Sequence, residues 1–374
     1  MSNMTKTMAV FSGSAHPELA REIANALGVE LGDIHLEKFA NGEIYARYND
    51  SIRGADVFLI QSVAGESVND ALMELLIMAD AAKRASARTV TAVISHYGYS
   101  RQDRKASARE PITAKLVANM LTAAGVDRII TIDLHQGQIQ GFFDIPVNHI
   151  TALWTIADYF NKKGLDSERL CVVSPDLGRA KAAKKLADLT NASIAIMHKE
   201  RPKHNAAEIT ALIGDVEGKT CILNDDMIDT AGSVIGAVKS LKNNGAEKIY
   251  VTATHPILSG PAFERLHDPD IEEVVVCNTI PIPEEELAKG KIKVVSVAPL
   301  FAHVINAVFS NGSISELFDP DFALLRCILS LAWEILAKTT PTRATMPVSI
   351  RSMCWHANGA QTIGRIRAAR SLPK

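Results

Sequence analysis

The sequence Asn224-Asp225-Asp226-Met227-Ile228-Asp229-Thr230-Ala231-Gly232-Ser233 joins a predicted strand to a predicted helix. The strand is the apolar run 221–223, and the helical pattern starts at residue 234 and ends near Asn244-Gly245. Backbone N–H groups at a helix N-terminus bind phosphate, and the helix dipole strengthens that binding. Carboxylates beside the loop would repel a second phosphate, but they suit the vicinal hydroxyls of a sugar. The stretch therefore predicts a site for a phosphorylated sugar.

The composition is typical of a soluble globular protein, since 47% of the 374 residues are hydrophobic and 22% are charged. The net charge of −2 gives no general attraction to nucleic acid or to an anionic membrane, so any anion site must be local. We find neither an N-terminal signal pattern nor an apolar run long enough to span a bilayer. The five cysteines lack metal-binding spacing, and three of them lie in apolar runs that predict buried free thiols. A reducing cytoplasm is the expected location.

Predicted strands alternate with predicted helices in two series, which indicates βαβ units and parallel sheets. We therefore expect an α/β fold with two domains, each built on a mostly parallel sheet flanked by helices. The first domain would comprise residues 1–150 and the second residues 151–318. Residues 319–374 differ in character from the rest, and we expect this basic tail to be weakly structured.

The segment 97–105 follows a predicted strand, at the position where open α/β sheets bind ligands. Arg101, Arg104 and Lys105 supply cations that suit a polyphosphate, and Gln102 suits a base or a ribose. A solvated charged loop is an equally good interpretation from composition alone.

Asp133 and His135 end the next predicted strand and would point the same way, a geometry that suits a hard cation. A histidine that is simply hydrogen-bonded is the commoner alternative. Asp176 places another carboxylate at a strand end. The segment 199–205 carries permanent cations and little to bury, so it is either a mobile loop that assists phosphoryl transfer or a solvated turn.

Two further segments contain glycines in turn-like contexts. Asn41-Gly42 lies between apolar alternations and predicts a hairpin, beside which an exposed Phe39 could stack on a base. The segment 214–220 resembles a phosphate-binding Walker A loop, but it is one residue too short and leads into a strand. We therefore interpret it as a hairpin-like turn.

Taken in order, the motifs resemble the bacterial ribose-phosphate pyrophosphokinases over about residues 8–318. The matching segments are 41–43, 101–104, 133–135, 138–143, 174–176, 199–202, 225–233 and 254–256. Members of that family make phosphoribosyl pyrophosphate from ribose 5-phosphate and MgATP and release AMP. The resemblance implies two phosphoribosyltransferase-like domains, a need for Mg²⁺, and assembly as a homo-oligomer, commonly a hexamer.

The resemblance also implies individual roles. ATP would be held by Phe39, Asn41, Gly42, Glu43, Arg101 and Gln102, and magnesium by His135 and Asp176. Lys199 and Arg201 would be the catalytic cations, and ribose 5-phosphate would contact Arg201, Asp225, Asp229, Thr230, Ala231, Gly232 and Ser233.

Some positions depart from the usual family pattern. Arg179 and Ala182 stand where a glycine and an arginine are common, and Asn224 replaces an apolar residue. Residues 319–374 have no counterpart in the family. Two alternatives to the kinase remain: a phosphoribosyltransferase that consumes phosphoribosyl pyrophosphate, and a catalytically weak regulatory homologue.

Overall fold

Strands and helices alternate along the first half of the chain. The computed structural model describes residues 6–65, 67–200 and 209–314, with the backbone alone at residues 199, 200, 209 and 210. The elements are, in chain order, β1 (Met8–Ser12), α1 (Pro17–Leu27), β2 (Ile34–Lys38), β3 (Ile44–Tyr48), β4 (Asp56–Gln61), α2 (Val68–Arg84), β5 (Thr89–Ile94), α3 (Thr113–Ala123), β6 (Arg128–Ile132) and β7 (Val147–Ile150). A five-stranded sheet has the order β1-β4-β5-β6-β7, and all its pairings are parallel. Strands β2 and β3 form a separate antiparallel hairpin.

The second half of the chain forms a larger sheet. Its elements are α4 (Leu153–Lys163), β8 (Leu170–Ser174), α5 (Ala180–Thr190), β9 (Ser193–Glu200), β10 (Ile209–Ile213), β11 (Thr220–Ile228), α6 (Gly232–Asn243), β12 (Lys248–Pro256), α7 (Ala262–Leu266), β13 (Glu273–Cys277), α8 (Glu284–Ala288), β14 (Ile292–Val295) and α9 (Ala298–Ser310). The strand order is β10-β9-β8-β11-β12-β13-β14. Only the β9–β10 pairing is antiparallel among these described strands. The predicted α/β fold with two mostly parallel sheets is confirmed.

The buried strands explain why parallel sheets form here. All six residues of β4 and all five of β8 are buried, as expected for strands covered by helices on both faces. Each sheet has its own apolar core, one containing Leu59, Ala92 and Ile129 and the other Leu223, Val251 and Val274. Polar residues are therefore confined mainly to the strand ends and to the loops beyond them.

The predicted succession of strand, loop and helix is confirmed, but β11 extends to Ile228, so residues 224–228 belong to the strand and only residues 229–231 form the turn before α6. The segment 214–220 is a turn that leads into β11, so it is not a phosphate-binding loop opening a helix. It is not a hairpin either: β10 pairs with β9, whereas β11 pairs with β8 and β12. The predicted tail 319–374 lies outside the described residues. In the described ranges, no helix combines the length and apolar character needed to cross a membrane.

Asn224 is a buried polar residue in the middle of β11. It is 0% exposed and lies beside Thr252 of β12 in the sheet register. Within the described part of the chain, neither its Oδ1 nor its Nδ2 has a hydrogen-bond partner. A buried polar group without a partner costs about 1–3 kcal/mol.

We therefore expect Asn224→Val to raise the free energy of unfolding by about 1–2 kcal/mol, since it removes that cost and keeps a similar volume. Urea unfolding followed by circular dichroism measures the change. Thr279→Val is a matched control, because the buried Thr279 hydroxyl donates a hydrogen bond to the Thr254 carbonyl at 2.9 Å and its loss should destabilise. A destabilised Asn224→Val variant would contradict the prediction.

Candidate active site

A cavity of about 520 Å³ opens at the carboxyl ends of the strands of both sheets. The first half of the chain contributes two arginines and the segment after β6, and the second half contributes the segment after β8, the last residues of β11 and the loop that follows them. The lining residues are Arg101, Arg104, His135, Gln136, Asp176, Gly178, Arg179, Asp225, Asp226, Met227, Ile228, Asp229, Thr230, Ala231, Ser233 and Val234. Carboxylates, cations and one imidazole therefore meet in one cavity, although they come from distant parts of the sequence.

The loop after β11 has the geometry of an anion site. Ala231 is the N-cap residue of α6 and adopts a left-handed conformation with φ 57°. Within the part of the chain that the structure describes, no side chain caps this helix, so the backbone N–H groups of its first turn are free to bind a ligand. The helix dipole adds partial positive charge at the same point.

Asp226 is enclosed by an imidazole and a guanidinium from different parts of the fold. Its Oδ2 accepts a hydrogen bond from His135 Nδ1 at 2.8 Å, and its Oδ1 lies 3.8 Å from Arg179 Nε. Asp226 is 2% exposed. Burial opposes ionisation, but the hydrogen bond from His135 and the charge of Arg179 lower the pKa of Asp226 well below its usual value. The carboxylate is therefore ionised at neutral pH.

Asp226 also changes the pKa values of its neighbours Asp225 and His135. Burial and the neighbouring carboxylate of Asp226 raise the pKa of Asp225 to about 7. The hydrogen bond to Asp226 raises the pKa of His135, while its burial opposes that shift. Arg179 Nε lies 4.0 Å from Asp225 Oδ1 and partly compensates the pair. The sequence places Asp226 only among the carboxylates that suit sugar hydroxyls and predicts no contact with His135; the available signal was that a second adjacent carboxylate at a strand end needs a cationic partner.

An ion pair joins two residues that the sequence assigned to different substrates. Arg101 Nη1 lies 2.8 Å from Asp229 Oδ2. A second cavity of about 280 Å³ adjoins the first and shares both residues with it. This second cavity is also lined by Tyr99, Ser100 and Gln102, so the segment after β5 faces both spaces.

The hairpin residues are separate from the described lining of both cavities. Phe39 is 44% exposed and stacks on Tyr45 with ring centroids 5.8 Å apart. The predicted turn is confirmed: Gly42 has φ 91°, and the Asn41 side chain accepts a hydrogen bond from the Glu43 N–H. The turn therefore presents an aromatic ring to its surroundings.

The expected strand geometry of Asp133 and His135 is wrong. Strand β6 ends at Ile132, and Asp133 adopts a left-handed conformation with φ 38°. The Asp133 carboxylate accepts hydrogen bonds from the Ala152 N–H and the Thr254 hydroxyl, whereas His135 lines the cavity. The Asp133 side chain therefore stabilises the surrounding backbone and strand β12, whereas the His135 side chain faces the cavity.

His135 and Asp176 both line the larger cavity. Asp176 Oδ1 accepts a hydrogen bond from Arg179 N at 3.0 Å, and His135 uses Nδ1 for Asp226, which leaves Nε2 for a ligand. Among the described residues, no group of three or more His, Cys, Asp or Glu side chains is arranged to hold a metal ion. One carboxylate and one imidazole fit Mg²⁺ of the kind that retains water and is completed by substrate phosphates.

Lys199 lies near the end of β9, and its backbone pairs with Thr210 of β10. Arg201 falls outside the described residues.

Comparison with known proteins gives matches over most of the chain. Residues 8–125 match the family described as the N-terminal domain of ribose phosphate pyrophosphokinase, and residues 202–319 match the phosphoribosyl synthetase-associated domain. The ribose-phosphate pyrophosphokinase of Clostridium perfringens is 53% identical over 319 residues, which are 85% of this chain and 99% of that protein. The one from Caldanaerobacter subterraneus subsp. tengcongensis is 52% identical over 318 residues, 85% of this chain and 100% of that protein.

A solved structure shows the same likeness in three dimensions. The crystal structure of phosphoribosylpyrophosphate synthetase from Mycobacterium smegmatis is 47% identical and superposes with a TM-score of 0.77, covering 82% of this chain and all of that one. Because matches of this identity extend over nearly the full length of the relatives, the chain is a member of the ribose-phosphate pyrophosphokinase family.

Proposed function

We propose that the protein transfers the β,γ-diphosphoryl group of MgATP to the C1 hydroxyl of ribose 5-phosphate. The C1 oxygen bonds to the β-phosphorus, the bond from that phosphorus to the α,β-bridging oxygen breaks, and the C1 hydroxyl loses its proton. The products are 5-phosphoribosyl 1-diphosphate and AMP. The observation that carries the proposal is the pair of adjoining cavities that share Arg101 and Asp229, one of which contains a helix N-terminus beside carboxylates.

The larger cavity suits the acceptor, ribose 5-phosphate. The 5-phosphate would be bound by the backbone N–H groups of Thr230, Ala231, Gly232 and Ser233 and by the hydroxyls of Thr230 and Ser233. Asp225 and Asp229 would accept hydrogen bonds from the ribose hydroxyls. The uncapped first turn of α6 supports this assignment, as does the position of both carboxylates in the cavity lining. Arg201 would add a cation to the same substrate.

The donor would occupy the region around the second cavity. Arg101 and Gln102 would contact ATP, and their position between the two cavities supports that role. Phe39, Asn41, Gly42 and Glu43 would hold the adenosine part, with the exposed Phe39 ring stacking on adenine. Binding of the triphosphate would compete with Asp229 for Arg101, so arrival of the donor would release a carboxylate for the acceptor.

His135 and Asp176 would hold Mg²⁺ together with phosphate oxygens, and the bound ion would neutralise charge on the transferred group. Asp226 fixes which nitrogen of His135 faces the cavity, because its carboxylate engages Nδ1. Lys199 and Arg201 would stabilise charge that builds up on the diphosphoryl group.

We further propose a homo-oligomer, a hexamer by resemblance to the family, in the cytoplasm. The free cysteines Cys171, Cys221 and Cys277 suit a reducing compartment.

The decisive experiment incubates the protein with MgATP and ribose 5-phosphate and measures AMP by chromatography. We expect AMP and phosphoribosyl diphosphate in equal amounts, with no AMP when ribose replaces ribose 5-phosphate. Absence of AMP, together with base-dependent release of diphosphate from phosphoribosyl diphosphate, would instead identify a phosphoribosyltransferase. Inactivity in both reactions would favour a regulatory homologue.

A further inference from the structure

Two backbone carbonyls of the loop after β11 accept hydrogen bonds from the segment that follows β12. The Asp229 carbonyl accepts a hydrogen bond from Ser259 N at 3.0 Å. The Thr230 carbonyl accepts one from Arg265 Nη1 of α7 at 2.7 Å. The guanidinium lies close against the loop, because a Cβ added at Gly232 would be 3.4 Å from the same Nη1. Arg265 is absent from the described lining of the larger cavity and lines a separate cavity with Pro261 and Glu264, so it approaches the loop from outside the larger cavity.

Because the peptide bond is planar, these contacts also determine where the N–H groups of Thr230 and Ala231 point. In a trans peptide, the C=O of one residue and the N–H of the next point in opposite directions. No peptide bond in the described residues is cis. The bond from Arg265 to the Thr230 carbonyl therefore sets the direction of the Ala231 N–H, and the bond from Ser259 sets that of the Thr230 N–H. The Ala231 N–H is then directed away from Arg265 and the Thr230 N–H away from Ser259, and both Thr230 and Ala231 line the larger cavity.

We propose that Arg265 is a positioning residue for the phosphate of ribose 5-phosphate, which it never touches. It holds the Thr230–Ala231 peptide so that the Ala231 N–H faces the ligand, and its charge polarises that peptide and makes the N–H a stronger donor. It also supports the left-handed conformation of Ala231, which a non-glycine residue adopts at a cost. This inference rests on the proposed function for the identity of the ligand, but its geometry concerns phosphate binding alone.

The role can be separated from a general effect on folding. Arg265 is exposed, and among the described residues its guanidinium makes this hydrogen bond and no ion pair. Arg169 offers a matched control, because it is also an exposed arginine whose guanidinium donates to a backbone carbonyl, that of Gly218. Gly218 precedes β11, at the amino edge of the same sheet and away from the cavity. Arg169 also forms an ion pair with Glu247, so its removal deletes at least as much as the removal of Arg265, but only the Arg265 contact belongs to the phosphate loop.

The experiment compares Arg265→Met, Arg265→Lys and Arg169→Met with the wild type by isothermal titration calorimetry. The probes are ribose 5-phosphate, inorganic phosphate and ATP. For Arg265→Met we expect about tenfold weaker binding of ribose 5-phosphate and of inorganic phosphate, with ATP binding unchanged within about twofold. Arg265→Lys keeps one charged donor and should fall between. In the kinetic assay, KM for ribose 5-phosphate should rise about tenfold while kcat stays within about twofold.

Several results would overturn the proposal. Wild-type phosphate affinity in Arg265→Met would show that the contact does not position the loop, and equal losses for ribose 5-phosphate and ATP would indicate a general structural effect. A similar loss in Arg169→Met would have the same meaning. A wild-type protein that binds neither phosphate probe would refute both the site and this inference. A wild-type protein that forms no AMP, but binds phosphate in an Arg265-dependent way, would refute the proposed reaction and leave this inference standing.

Discussion

Asp226→Asn is expected to lower kcat/KM for ribose 5-phosphate by about 10- to 100-fold. The Asp226 carboxylate accepts the 2.8 Å hydrogen bond from His135 Nδ1 and keeps Nε2 of that imidazole free in the cavity. Loss of such a supporting carboxylate typically costs 10- to 100-fold in metal affinity or activity. The substitution preserves the shape of the side chain and removes its charge, so Arg179 also loses one of its two partners. Steady-state kinetics at saturating MgATP measure the effect.

A second measurement links the loss to the hydrogen bond. Because the bond to Asp226 raises the pKa of His135, Asp226→Asn should lower that pKa, and nuclear magnetic resonance of the imidazole C–H protons follows the shift. Asp215→Asn is the control: Asp215 is an exposed carboxylate paired with Lys219 at 3.2 Å, and it precedes β11 at the other end of the sheet. Kinetics within about twofold of wild type for Asp226→Asn would show that His135 needs no such support.

Local patterns were sufficient to predict the layers of this fold. The apolar run Met8–Ser12 is β1, and the switch from the apolar run at 221–223 to a helical period at 234 matches the junction of β11 and α6. Such signals depend on which faces of an element are buried, and neighbouring residues encode that directly. The Asn41-Gly42 turn is equally local, because few other residues accept the positive φ of Gly42.

Pairings between distant segments could not be predicted in this way. Residues 214–220 appeared hairpin-like, yet β10 pairs with the strand before it and β11 pairs on both sides with other strands. The contact of His135 with Asp226 spans 91 positions, and nothing near either residue specifies the other. The prediction that Asp133 and His135 point the same way is wrong because the chain turns sharply at Asp133, at a left-handed φ that strand alternation does not anticipate.

The candidate site was predicted best where its chemistry is carried by the backbone. The loop 229–233 followed from small residues before a helix, and the structure shows the uncapped N-terminus that this pattern requires. Arg179 is an unusual cation for its position, but nothing in the sequence indicates that it faces Asp225 and Asp226. Charge compensation inside a cavity depends on three-dimensional proximity, so it emerges only with the fold.

Lys199→Ala is expected to reduce kcat by about 100-fold or more while the dissociation constant for ATP changes by less than about threefold. Strand β9 pairs with β8 as far as Ile196, opposite Ser174, and then continues to Glu200 beside β10. Lys199 therefore stands beyond the carboxyl end of β8, the edge from which Asp176 enters the cavity lining. A cation at this edge would meet negative charge that increases as the diphosphoryl group moves. Removal of a group that stabilises transition-state charge typically costs 10²- to 10³-fold in kcat.

This role is tested by comparing the loss in kcat with the loss in ATP affinity. A lysine that holds ATP in the ground state would give equal losses in ATP affinity and in kcat/KM, whereas one that acts in the transition state lowers kcat and leaves binding intact. Rapid-quench measurement of AMP in a single turnover separates the chemical step from product release, and calorimetry with ATP gives the affinity. Lys248→Ala is the control, since Lys248 is exposed at the opposite, amino end of β12 in the same sheet. A variant of Lys199 with unchanged single-turnover rate would exclude the residue from the chemical step, and equal losses of rate and affinity would reassign it to ATP binding.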